Sequence, residues 1–183
     1  DIAPAPAEPL ADVLTDDRVV FELGGGLVGL VAGGTGPLLS RVATLRGEIA
    51  ADLGIVVPQV AFRDNLTLPA RGWSVGIGGE RVAAGEVPAG MMLVVPPPGE
   101  AHHFDGLDAV DPLSGRAAAW MGQARADAAR LAGATVFDDA ECLVRGLESA
   151  IRRRADRLLS RDATNRLVES LRSVQPALVE QVV

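Results

Sequence analysis

Apolar side chains at Leu38, Val42, Leu45, Ile49 and Leu53 recur every three or four positions and stop at Gly54. That is the period of a helix, so the spacing predicts one amphipathic helix from Leu38 to Leu53, whose apolar stripe must be covered by another layer. Strand-forming runs flank it. Arg18 to Leu23 (RVVFEL) is β-branched and aromatic, and Ile55 to Phe62 has the same character, with Pro58 delaying its start. Strand, helix, strand in that order predicts an α/β (α+β) chain with a small mixed sheet.

The rest of the chain alternates in the same way. Arg63-Asp64-Asn65 reads as a turn. Trp73, Val75 and Ile77 alternate as a half-buried strand, and Gly78-Gly79 turns it into a second strand, Arg81 to Val87. Met91 to Val95 is a continuous apolar strand that Pro96 to Pro98 ends. A loop carrying His102 and His103 follows. Then come a strand at Ala117 to Met121, an Ala-rich helix at Gln123 to Leu131, and a short strand at Ala134 to Phe137. Asp138 or Asp139 caps a helix running to about Leu159, and another helix spans Arg161 to Leu171. Asp1 to Pro9 alternates Ala and Pro and reads as a stiff linker.

Charge and cysteine content narrow the function. The formal net charge is -7, and every one of the 17 basic residues is arginine. Phosphate backbones need a basic face, so no nucleic-acid partner is expected. The lone Cys142 permits no internal disulfide, fits a reducing compartment, and reads as a small buried hydrophobe. No apolar run reaches the length of a membrane span, and the N-terminus lacks the layout of a signal peptide.

Three motifs suggest chemistry, and each has a plainer reading. Gly24-x-Gly26-x-x-Gly29 follows a strand, as in dinucleotide-binding units, which would make the chain a nucleotide-binding α/β enzyme using the Gly24–Gly36 loop. A second cluster, Gly33-Gly34 and Gly36, intervenes where the helix should begin, and no acidic residue ends a second strand at the expected distance, so a loop is favoured. Adjacent histidines 102 and 103 have no ordered set of further ligands, and no metal is expected. No nucleophile elbow is present, and Asp16-Asp17 and Asp138-Asp139 sit at element starts where capping explains them. No catalytic residue and no cofactor are expected. Arg152-Arg153-Arg154 spans most of a helical turn and reads as solvated or as a subunit contact.

Several stretches in fixed order carry a resemblance. Glu22-Leu23-Gly24 is followed by LLSRVATLRGEIAADLGIVVPQVAFRDNLTL from Leu38 to Leu68. Gly85-Glu86 to Met92, Asp111-Pro112-Leu113-Ser114-Gly115, Ala119-Trp120, Gly133-Ala134-Thr135-Val136-Phe137-Asp138, Leu158-Leu159-Ser160-Arg161 and Gln175 to Glu180 follow in turn. Together they resemble the FHIPEP family, the large export-gate subunits of bacterial flagella and injectisomes, over nearly everything after the linker.

The resemblance implies a linker at 1–16, a first subdomain from 17–88 plus 134–155, an inserted ferredoxin-like second subdomain at 89–133, and the start of a helical third subdomain at 156–183. It implies a docking platform on the cytoplasmic side of the bacterial inner membrane that binds export chaperone–substrate complexes and other apparatus subunits. It also implies self-association into a ring in the full-length protein. A purely structural ring-forming domain is the alternative within the family. The family's chaperone-binding dimple uses an Asp and a Phe of Asp-Pro-x-Phe-Gly and a Thr of the later helix. Here those positions are Asp111, Ser114 and Arg145, and with Trp120 they are the expected partner-binding residues. The Phe ring is lost and a cation is gained.

Overall fold

The computed structural model describes residues 18–34, 36–97, 99 and 105–158. The linker, His102 and His103, and the helices expected beyond residue 158 lie outside them.

The first half of the chain builds around helix α1, Pro37–Leu53. Pro37 opens the helix, where its missing N–H costs nothing, and Gly54 ends it in a left-handed conformation. Leu38, Val42, Leu45 and Ile49 are buried, as the periodicity predicts. Leu53 is 40% exposed, a departure from the expected stripe. At 3.6 residues per turn it lies roughly 50° from the mean direction of the other four, so it sits at the edge of the face.

That face covers a four-stranded sheet in the order β2-β1-β3-β4. β1 (Val19–Leu23) and β2 (Val60–Asp64) are parallel and joined by α1, while β3 (Gly72–Ile77) and β4 (Glu80–Glu86) form an antiparallel hairpin beside β1. Gly78 and Gly79 both have positive φ, 59° and 82°, which the two-residue turn demands. β2 continues to Asp64, past Arg63, because Glu22 and Leu23 of β1 pair with Arg63 and Asp64; the expected turn starts only after the pairing ends.

The second half builds another four-stranded sheet, ordered β6-β7-β5-β8 and antiparallel throughout. Its strands are β5 (Met91–Val95), β6 (Leu107–Val110), β7 (Ala117–Gly122) and β8 (Thr135–Phe137). Helix α2 (Gln123–Leu131) lies over one face with Val94, Met121, Ala126, Ala129 and Val136 in a small core of their own. Leu93 and Val95 point the other way, into the larger core shared with the first sheet. Met91–Val95 pairs with β7 and β8 and not with β2. Thr135–Phe137, from the 134–155 segment, also joins this second sheet, so a boundary at 133/134 does not coincide with a sheet boundary.

Helix α3 (Asp139–Arg153) joins the halves, packing on α1, β3, β4, β5 and β8, and the short α4 (Ala155–Leu158) follows it. A capping box starts α3: Asp138 accepts from the Glu141 amide, and the Glu141 carboxylate accepts from the Asp138 amide, both at 2.8 Å. Cys142, Leu143, Leu147, Ala150 and Ile151 are buried along its inner face. Burial pushes the Cys142 thiol up to about 12, so it behaves as the apolar filler that the sequence suggests.

Candidate functional site: a cleft between the two sheets

Three glycines of the Gly24–Gly36 loop, Gly24, Gly26 and Gly36, serve the packing of the chain itself. A Cβ on Gly24 would lie 2.1 Å from the Pro69 carbonyl oxygen, and one on Gly36 would lie 2.1 Å from that of Leu30. The loop folds as two short 3₁₀ turns, and α1 begins only at Pro37. The spacing of a dinucleotide unit, in which the third glycine opens the helix, is therefore not what the chain builds. Among the described residues no group of three or more His, Cys, Asp or Glu could hold a metal ion.

Of the four expected site residues, the fold brings three together. Asp111 follows β6, and the turn after it folds back on its own carboxylate. The amides of Leu113 and Ser114 donate to it at 3.4 and 3.1 Å, and the Ser114 hydroxyl donates to Oδ2. Two backbone bonds of 2.9 Å, Asp111 N–H to the Arg116 carbonyl and Gly115 N–H to the Asp111 carbonyl, close the turn. From the middle of α3, Arg145 reaches the same carboxylate with both arms of its fork, Nε to Oδ1 at 2.7 Å and Nη2 to Oδ2. Its guanidinium also lies 4.1 Å over the centre of the Phe137 ring.

The Asp111 side chain is fully buried, while that of Arg145 is 21% exposed. Burial on its own raises the carboxyl's pKa. The Arg145 and Ser114 hydrogen bonds outweigh it and bring Asp111 down to about 2. The pair thus ties the second sheet to α3, and no partner reaches the carboxylate in this conformation. Trp120 stands apart from it. Half-buried on β7, it packs on the shared core and lines a separate recess with Met91, Leu107 and Arg125.

Beside the ion pair lies an open cleft, made of two adjoining hollows of about 270 and 390 Å³ that share Pro112 and Arg153. One wall is the turn Pro112–Gly115, from the second half. The other is α3, at Gly146, Ser149, Arg152 and Arg153, with Trp73 and Val82–Ala84 of the first sheet. Gly146 has a local cause. A Cβ there would lie 2.3 Å from the Trp73 ring, and one on Gly85 would lie 2.9 Å from it. The indole therefore occupies the space that a side chain at position 146 would need. Arg153 and the Pro112–Ser114 wall were not singled out as one site in the sequence, because only the folded turn sets them opposite each other.

A mixed α/β fold with two small sheets bridged by a central helix, and a cleft where they meet, narrows the class of protein, and the comparisons name it. The FHIPEP family model matches residues 2–183, and the chain belongs to the FHIPEP family. It is 34% identical over 176 residues to the flagellar biosynthesis protein FlhA of Bacillus subtilis, covering 96% of this chain and 26% of that protein. With FlhA of Treponema pallidum it shares 32% identity over 167 residues, 91% of this chain and 24% of the relative. The chain thus spans about a quarter of the length of these relatives. In fold it is similar to the Chlamydia pneumoniae CdsV protein, with a TM-score of 0.72 at 18% identity over 90% of this chain and 53% of that one. The C-terminal domain of InvA gives 0.67 at 17% identity, over 90% of this chain and 49% of that one. Among the described residues no helix is long and apolar enough to cross a membrane.

Proposed function

We propose that this chain is the docking part of an export-gate subunit of a type III protein export apparatus. It receives chaperone-bound export substrates in the cleft between its two sheets, on the cytoplasmic side of the inner membrane. It acts by binding and not by catalysis. The observation that carries this is the cleft itself, whose walls come from both halves of the chain and mix apolar and cationic side chains, a common setting for recognition. Kinship to FlhA proteins supports the flagellar form of the apparatus. One solved neighbour is described as a complex of CdsV and CdsO and another as a nonameric SctV-C, which supports further apparatus partners and ring assembly for the full-length subunit.

In this reading Asp111, Ser114, Arg145 and Trp120 contribute unequally. Asp111 and Arg145 hold the wall in place, exposed Ser114 faces the partner, and Trp120, in its separate recess, takes no part in the cleft. The test is capture of export chaperones from the same organism on the immobilised chain. Leu113→Asp places a charge on the wall without touching the ion pair and should reduce capture at least about tenfold. Undiminished capture by a folded Leu113→Asp variant would place docking elsewhere.

A further inference from the structure

The arginines of α3 and α4 differ in what they hold. Arg152 is held by Asp52 at 2.7 Å and Glu148 at 2.8 Å, Arg154 by Glu80 at 3.1 Å, and Arg145 by Asp111. Arg153 donates only to the Ser149 carbonyl of its own helix, at 3.3 Å, and among the described residues it has no carboxylate within ion-pair reach. It is also the one charged residue common to both hollows of the cleft. Apart from Arg152 the lining around it is apolar or small, with Trp73, Val82, Ala83, Ala84, Pro112 and Leu113 the apolar part. The site's one buried carboxylate is already neutralised by Arg145.

We infer that Arg153 is the specificity-determining residue of the cleft, and that the cleft takes an acidic amphipathic segment of a protein partner, with a carboxylate on Arg153 and apolar side chains against Pro112, Leu113 and Val82. The inference rests on reading the cleft as the docking site and adds the chemistry of what docks. Charge complementarity selects the occupant. A cation on a partly apolar wall is costly to cover with an apolar or basic partner, and a carboxylate is the group that compensates it with directed hydrogen bonds. Arg152 beside it is already shared between two carboxylates, which outweigh its charge, so Arg153 is the cation that the cleft offers. Since this chain carries a formal charge of -7, a local cationic spot in an acidic surface also orients the approach of the partner.

The test uses a fluorophore on Ala84→Cys. Position 84 is exposed on β4 and lines the cleft, while Cys142 is buried with its thiol pushed up to about 12, so labelling is selective. The probes are two synthetic amphipathic peptides with one apolar pattern, one with glutamate and one with lysine at the polar positions. The glutamate peptide should shift the fluorescence and the lysine peptide should bind at least about tenfold more weakly. Arg153→Glu should invert that order and Arg153→Lys should keep it, with the preference shrinking as salt rises. Equal binding of both peptides, abolished by Leu113→Asp, would leave the docking cleft standing and overturn the acidic preference. An unchanged glutamate preference in Arg153→Glu would also overturn it. No response to either peptide would overturn the cleft reading and the inference together.

Discussion

Among the ion pairs that tie α3 to the rest of the molecule, those at its N-terminus and the one in its middle differ in their access to water. At its N-terminus, Arg41 of α1 reaches Asp138 at 2.5 Å with side chains 35% and 41% exposed, and Arg71 from the loop before β3 reaches Asp139. In its middle, Arg145 holds Asp111, whose side chain is fully buried. At the first place water can replace either partner, and the capping box keeps the helix end satisfied. At the second it cannot. The same chemistry is thus dispensable at one end of the helix and structural at its centre, because desolvation sets the cost of removing one partner.

The largest effect should follow from breaking the central pair. Arg145→Ala leaves the Asp111 carboxylate buried without its cation and should cost about 3–5 kcal/mol in chemical denaturation. A loss no larger than that of Arg41→Ala would erase the distinction between the two places. Next, Leu45→Ala removes a fully packed side chain from the α1 face and should cost about 2–5 kcal/mol, with a lowered melting temperature. An unchanged melting temperature would mean that the α1 stripe does not hold the first half together.

Acid should weaken both places, because against the effect of burial the Arg41 hydrogen bond also holds Asp138 below the ordinary carboxylate range, and it should weaken the central one more. Asp111 has a folded pKa of about 2, below the ordinary value of 3.8. A depressed pKa means that its stabilisation is complete above the unfolded value and is lost as pH falls through 3.8 towards 2. Roughly 2 kcal/mol of stability should disappear over that interval, and Asp111→Asn should remove most of this dependence. An identical acid-unfolding profile for the variant would show that other carboxylates carry the transition. The smallest effect belongs to the exposed pair: Arg41→Ala should cost about 0–1 kcal/mol, shrinking further in salt.

Much of the framework was legible in the sequence wherever local pattern and environment agree. The Leu38–Ile49 stripe, the Gly78-Gly79 hairpin and the Asp138 cap each follow from rules that act within one element. β6 was missed. Leu107-Asp108-Ala109-Val110 is short and polar in part, and its strand conformation comes from pairing with β7, which local pattern does not encode. The resemblance brought Asp111, Ser114 and Arg145 to one place, and the fold does place them in contact. That the carboxylate would be buried, Trp120 would stand apart and Arg153 would face the cleft depends on how the 111–116 turn folds, which lies beyond sequence spacing. The need for glycine at position 146 comes from the Trp73 ring, which is far away in sequence and fills the space over it.

The central claim, that the partner docks where the two halves meet, is tested most directly by hydrogen–deuterium exchange on the chain with and without an export chaperone–substrate complex from the same organism. Docking in the cleft predicts slowed exchange at residues 111–116 and along the second half of α3, from 146 to 153, with the α1 amides unchanged. Protection confined to surfaces away from these two segments, with the cleft exchanging at its free rate, would contradict it.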